Sequence, residues 1–322
     1  MAGREDVLDK ALEELAGLGG ERDREQIAAL RDRLAASRLR VLVAGEAKRG
    51  KSTLVNALLG RPVLPSGVTP LTALATTVRY GEDPHAEVRF ADGHEEKYPL
   101  AALDDLVTER GNPRNRRAIA AVTAFVDAPV LAGGVELVDT PGTGSVFTWD
   151  TDAAHEALEA MDAAVFVLTA DPPVSASERD LLARVSELSV RTFAVLNKAD
   201  HLEAAGLDEA LDFTGRVLAA AGHRGRVYPM SARAALDGGD PGFAAFAADF
   251  TAYLADRGSS DLAASASAHA RRIARSLLDE VALTRRAAQM RAGNAAIRVE
   301  QFGALLAEST VRSRDAVAIA NA

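Results

Sequence analysis

Cysteine is absent from the 322 residues, so disulfides, thiolate chemistry and cysteine-held metal sites are all excluded. Basic residues are not in excess either. The net charge is -9, and a phosphate backbone calls for a basic face, so nucleic acid is not an expected partner. Long apolar runs are missing as well. The longest, around residues 163–170, falls far short of a bilayer span, so any membrane contact is expected to be peripheral or to come from outside this chain. The first residues carry no basic-then-apolar export signal. A cytoplasmic location is expected, with the inner face of the cell membrane as the peripheral alternative. Six histidines lie scattered without metal-ligand spacing and read as surface residues. What remains is soluble-protein material, 48% hydrophobic and 26% charged, long enough for one large or two modest domains.

One stretch organises the rest. Arg40, Val41, Leu42, Val43 and Ala44 form an apolar, β-branched run that predicts a buried strand. The pattern breaks at Gly45 and resumes past Gly50 as an apolar helix carrying Leu54, Val55, Ala57 and Leu58. Between them lies Gly45-x4-Gly50-Lys51-Ser52, a phosphate-binding loop pattern in its proper strand-to-helix setting. Glycines let the backbone wrap a phosphate with inward N–H groups, and the helix N-terminus adds its positive dipole end. Glu46, Ala47, Lys48, Arg49, Gly50, Lys51, Ser52 and Thr53 are the expected contact run. Lys51 is placed to reach the β- and γ-phosphates, and the Ser52 hydroxyl to ligate Mg²⁺.

Ahead of this loop, Val7, Leu8, Ala11, Leu12 and Leu15 recur at helical spacing, Gly19-Gly20 interrupts, and Ile27, Leu30 and Leu34 resume the stripe. Residues 1–37 are thus two amphipathic helices or one broken helix, acidic with six Lys or Arg against nine Asp or Glu. After the loop, the proline-rich segment 61–75 reads as irregular, 76–80 and 86–90 as strands, 100–110 as a short helix, and 111–117 as an exposed basic loop. Residues 122–126 and 135–138 read as strands. From 163 onward strand and helix alternate: strands at 163–169, 190–196 and 226–229, helices at 175–188, 207–221 and 243–255. Such alternation predicts an α/β fold with a mostly parallel sheet between helices. Beyond Gly258-Ser-Ser260, residues 261–322 form a basic helical tail, nine Lys or Arg against six Asp or Glu. A basic arm invites a lipid or nucleic-acid reading, and packing on the acidic N-terminal helices is the preferred alternative. The expected division is 1–37 and 257–322 as helices packing together, the latter as the start of a longer stalk, around a nucleotide domain at 38–256.

Further motifs follow in a meaningful order. Asp139 ends a strand, where it can hold Mg²⁺ through water, and the Gly142 N–H can reach a γ-phosphate. Asn197-Lys198-Ala199-Asp200 ends a later strand. The Asp200 carboxylate can accept from guanine N1–H and N2–H₂, whereas adenine offers no such donor pair and would leave it buried and unpaired. Lys198 would lie over the base, and Asn197 would tie this loop to the phosphate loop. Met230-Ser231-Ala232 follows a strand, where backbone N–H groups can meet guanine O6. Singly these motifs are weak, since an Asp at a strand end commonly caps a helix; in this order they form a strong signal for a Mg²⁺-dependent site for GTP and GDP.

The run Leu64-Pro-Ser-Gly-Val-Thr-Pro-Leu-Thr-Ala73, coupled to Gly45-Glu46 and Gly50-Lys51-Ser52-Thr53, resembles bacterial dynamin-like GTPases and, more distantly, mitofusins. The resemblance covers about residues 38–256. It implies a GTPase domain on a helical neck, GTP hydrolysis speeded by domain dimerisation, coupling to membrane remodelling, and a second dynamin-like protein as a further candidate partner. It makes Thr72 the switch threonine that binds Mg²⁺ and fixes the attacking water, with Thr69 as the fallback. Thr143 follows Gly142 where Ras-like proteins carry glutamine, in keeping with the dynamin-like group. Eukaryotic dynamins place Gln-Ser inside the phosphate loop, whereas this chain has Ala47-Lys48. Guanylate-binding proteins, which it also resembles, carry an internal arginine finger where Lys48 stands. Lys48, or Arg49 beside it, is therefore a candidate for stabilising transition-state charge, projection of both into solvent being the alternative. Trp149, the only tryptophan, is expected in or beside the second switch. The rival readings are a Ras-like or ribosome-assembly switch, and a GTP-binding scaffold without hydrolysis.

Overall fold

A computed structural model describes residues 2–66, 74–140, 158, 161–188 and 191–320 of the chain. Two helices come first, α1 (Ala2–Leu18) and α2 (Glu21–Ala35). Gly19 and Gly20 separate them, and the Gly20 N–H donates to the Asp23 carboxylate at 2.9 Å, closing the turn. The core elements follow in chain order: β1 (Leu39–Ala44), α3 (Lys51–Leu59), β2 (Thr76–Tyr80), β3 (His85–Phe90), β4 (Glu95–Tyr98), α4 (Leu103–Val107), β5 (Ile119–Val126) and β6 (Val135–Asp139). Then come β7 (Ala163–Thr169), α5 (Ala176–Leu188), β8 (Arg191–Asn197), α6 (Ala204–Ala220), β9 (Val227–Pro229), α7 (Ala232–Asp237) and α8 (Pro241–Ala320).

The nine described strands form one sheet in the order β4-β3-β5-β2-β6-β1-β7-β8-β9. Strands β6, β1, β7, β8 and β9 run parallel. Their apolar residues sort by the two-residue period of a strand. Val41, Val43, Val165 and Val167 join a core with Leu54 and Val55 of α3 and Phe246 and Phe250 of α8. Leu42, Ala44, Phe166 and Leu168 join a second core with Leu181, Leu182 and Val185 of α5 and Leu218 of α6. Burial on both faces explains why these strands read as continuous apolar runs.

β2 is antiparallel to β6 and parallel to β5, and β3 and β4 extend that wing as antiparallel strands. β4 has no counterpart in the sequence reading. Its residues Glu95, Glu96 and Lys97 are exposed, so this edge strand lacks an apolar alternation and is held by its ladder with β3.

α8 departs from expectation more strongly. The helix does not end near residue 255 but runs unbroken through residues 258–260. Phe246, Phe250 and Tyr253 pack edge-on around Phe193 of β8, and Leu262 continues the same core. A helix anchored on both sides tolerates the roughly 1 kcal/mol cost of Gly258. Farther along, Ala266, Ala270 and Ile273 close a third cluster with Leu12 of α1 and Ile27 and Leu30 of α2. From Leu278 onward the described side chains of α8 are exposed, Val281 and Leu283 among them. Among the described residues, no helix is long and apolar enough to cross a membrane.

Candidate functional site

In a sheet with β1 flanked on both sides by parallel strands, the carboxyl ends of β1, β6, β7, β8 and β9 share one edge, where such folds hold ligands. The loop from β1 to α3 lies on that edge. Two glycines there have no substitute. Gly45 has φ +145°, and a Cβ would sit 2.3 Å from the Val167 carbonyl oxygen; Gly50 has φ +93°, and a Cβ would sit 2.2 Å from Asn197 Nδ2. Gly50 is the N-cap of α3, so the first-turn N–H groups of that helix open into the loop. Lys51 is 6% exposed and its Nζ donates to the Glu46 carbonyl at 3.0 Å. Burial holds its pKa below the ordinary lysine range, against the pull of Asp139 and Glu178.

Asp139 ends β6, paired in register with Val43 of β1. Ser52 Oγ donates to Asp139 Oδ2 at 2.6 Å. The other carboxylate oxygen, Oδ1, is buried without a hydrogen-bond partner. Burial pushes the carboxyl up to about 6, and Lys51 and Ser52 oppose the shift. A hydroxyl and an orphaned carboxylate oxygen beside a buried lysine form a hard-oxygen set that fits Mg²⁺. Thr140 donates from Oγ1 to the Val43 carbonyl at 2.8 Å and fixes the chain leaving the strand.

Asn197 ends β8 and reaches both ways. Its Nδ2 donates to the Arg49 carbonyl at 2.8 Å, and its Oδ1 accepts from Ala232 N–H at 2.9 Å. One buried amide thus joins the phosphate-type loop, the Asn-Lys-x-Asp segment and the turn after β9. Lys198 follows in left-handed conformation, φ +60°, and is exposed. The Asp200 side chain is 47% exposed. Ser231 is buried and accepts from Ala234 N–H at 3.2 Å, capping α7. Thr72, Thr69, Gly142 and Trp149 lie outside the described residues.

Lys48 and Arg49 separate sharply. Lys48 is exposed, with φ +65°. Arg49 neither projects into solvent nor keeps a free guanidinium. It is 2% exposed, and its Nε and Nη2 fork onto Glu178 Oε1 and Oε2 at 2.8 and 2.7 Å. Its Nη1 donates to Thr169 Oγ1 and to the Pro172 carbonyl. Glu46 accepts from Ser175 Oγ and from Ser177 Oγ; burial raises its pKa, but the two hydroxyls and Arg49 outweigh that and hold it below the usual carboxylate range. Glu178 carries no nucleotide motif. Its sequence signal is Ser175-x-x-Glu178, a helix-capping box, and the box is present: Ser175 N–H donates to Glu178 Oε2, and Glu178 N–H to Ser175 Oγ, both at 3.1 Å. That local reading conceals the contact across the fold. The surface reading of the histidines also needs correction, because His223 and His269 are both 7% exposed. Each sits on an otherwise ordinary helical or turn segment, and nothing in the local spacing marks either ring as buried.

Residues 41–199 match the sequence model of the dynamin family. The chain is a member of that family. An uncharacterised protein of Caldicellulosiruptor is 34% identical over 240 residues, covering 73% of this chain and 60% of the relative. The bacterial dynamin-like protein of Nostoc punctiforme is 32% identical over 225 residues, covering 63% of this chain and 31% of the relative. The dynamin-family chain therefore spans less than two thirds of either relative. Among solved structures, a member of an oligomerised bacterial dynamin pair, described as sensing and tethering membranes at long range, shares the fold at TM-score 0.58 and 17% identity. That match covers 96% of this chain and 51% of the other.

Proposed function

We propose that this dynamin-family chain binds guanine nucleotides with Mg²⁺ and hydrolyses GTP to GDP and phosphate. The observation that carries the reading is Asn197, whose amide bonds to the Arg49 carbonyl and to Ala232 N–H. A phosphate-binding loop and a guanine-reading loop are of no use to one ligand unless they are held at a fixed separation, and this bridge supports that arrangement. Gly50 and the first turn of α3 cradle the phosphates, Lys51 meets the β- and γ-phosphates, and Ser52, Asp139 and Thr72 are the oxygen donors for Mg²⁺. When bound, the ion neutralises charge on the phosphates. Asp200 reads guanine, Lys198 covers the base, and the Ser231 and Ala232 amides face O6. With Arg49 committed to Glu178, the exposed Lys48 is the cation available to meet transition-state charge.

Calorimetry tests the core of this reading. GTP and GDP are expected to bind and ATP not to, and Asp200→Asn to transfer preference to xanthosine triphosphate, whose C2 carries a carbonyl. Equal binding of ATP by the unaltered chain sinks it. Lys48→Ala is expected to lower turnover by roughly 10³-fold with GTP affinity retained; a joint loss of affinity and rate makes Lys48 a ground-state phosphate contact instead.

Likeness to an oligomerised bacterial dynamin pair supports a further step: GTP-dependent association through the nucleotide faces, with itself or a second dynamin-like protein, on a peripheral membrane surface. Specific activity that rises with protein concentration is the expected signature. Packing of α1 and α2 against α8 supports treating residues 1–37 and 257–322 as one neck for the domain at 38–256.

A further inference from the structure

The phosphate-loop pattern demands glycine, lysine and serine, and leaves the position of Arg49 open. Yet Arg49 is among the most enclosed charges described in the molecule, 2% exposed against a Glu178 that is fully buried. Burying such a pair is costly unless every donor and acceptor is satisfied. Here they are. The fork onto Glu178 takes Nε and one Nη, and the Pro172 carbonyl accepts from the other at 2.6 Å. Glu46 Oε2 and the Pro173 carbonyl add longer contacts at 3.3 and 3.4 Å.

The same residue is held by its backbone too, since its carbonyl accepts from Asn197. Glu46, at the other end of the loop, is fastened to Ser177 at 2.7 Å, while its own carbonyl accepts from Lys51. The loop is therefore gripped from β8 on one side and from the β7–α5 connection and first turn of α5 on the other, with Glu178 129 positions from Arg49 in sequence.

We propose that Glu178 and Arg49 are a positioning pair that shapes the phosphate loop before nucleotide arrives. The inference rests on the nucleotide reading above and names a residue that no motif assigns. Neither side chain is a catalytic residue, because both point away into a closed polar network. Pre-shaping acts on affinity: a loop that must be ordered on binding lowers apparent affinity by the fraction of time it is competent. GDP and GTP, which share the phosphates the loop cradles, are then weakened alike. Once either is bound, the ligand imposes the shape itself, and turnover at saturation is largely kept.

The test is Glu178→Gln in the full chain, with Arg49→Lys as a second variant that keeps the charge but loses the fork. GDP and a non-hydrolysable GTP analogue are titrated by calorimetry, and KM and kcat are measured separately. The expected result is an equal loss of affinity for both nucleotides, about tenfold or more, with kcat within about threefold of the unaltered chain, and a double variant no worse than the weaker single. Unchanged affinity with only a lower Tm would reduce the pair to a stability element. A fall in kcat at unchanged affinity would place it in the chemical step, and either outcome overturns the proposal. Should neither variant fold, NMR of the unaltered, nucleotide-free chain decides: the Arg49 Nε–H, which donates to Glu178, is expected to exchange slowly with solvent, and free exchange there overturns it. Failure of the unaltered chain to bind GDP would instead strike the nucleotide reading itself.

Discussion

Among the described residues, Arg49 and Arg33 each face a fully buried carboxylate at 2.7 Å, and they are held very differently. Arg49 forks onto Glu178 with both carboxylate oxygens engaged. Arg33 of α2 donates from Nη2 to Asp162 Oδ1, while Asp162 Oδ2 accepts the Arg40 backbone N–H at 2.7 Å. Burial raises the Asp162 carboxyl above its ordinary range and lowers the Arg33 guanidinium, so desolvation outweighs their mutual attraction. One pair closes a loop within the nucleotide domain. The other is a joint where α2, the start of β1 and the start of β7 converge, with Ser265 of α8 donating to the Met161 carbonyl beside it. The contrast teaches that a buried ion pair fixes one loop where its fork is complete, and joins a flanking helix to the sheet where its carboxylate is shared between a side chain and a strand backbone.

The largest effect expected from breaking the joint follows removal of its cation. Arg33→Met leaves Asp162 buried without its counter-charge and should cost about 3–5 kcal/mol in urea unfolding. GTP affinity of the folded protein should hold; if it falls too, the joint and the phosphate loop are coupled and the contrast fails.

Acid should sharpen the contrast next. His269 of α8 is pushed down to about 4, first by burial and then by Arg272, Arg33 and Arg40. A histidine depressed in the folded state stays neutral there while the unfolded chain takes up a proton. Stability is therefore full above about pH 6.5 and is lost as pH falls toward 4, by up to about 3 kcal/mol. Asp162 acts in the opposite sense, because its raised pKa favours the folded state on protonation and offsets part of the loss. His269→Gln should flatten the curve between pH 7 and 5 in thermal melts; an unchanged curve would put the acid sensitivity elsewhere.

The smallest effect belongs to Lys48, next to Arg49 but exposed and in left-handed conformation. Lys48→Gly relieves the backbone while adding chain freedom, and should alter stability by no more than about 1 kcal/mol in either direction, read as a Tm shift. A loss comparable to that at Arg33 would mean that the lysine side chain holds the loop after all.

Local pattern alone determined a good deal here. Apolar runs at 41–44 and 163–169, the glycines at 45 and 50, and the stripe Leu12, Ile27 and Leu30 each report burial or backbone conformation through their own spacing, and each lies where that spacing puts it. Asn197 was legible as a tie because the motif fixes its place at a strand end. Only the tertiary structure decided the rest. β4 pairs without an apolar face, and α8 passes Gly258 because aromatic packing before it and the neck cluster after it hold one line. His269 is buried where it feels Arg33 and Arg40, both distant in sequence, and Arg49 finds Glu178 across 129 residues. Periodicity records which face of an element is buried, whereas the partner across that face is set by the order of strands in the sheet, and no local spacing encodes that order.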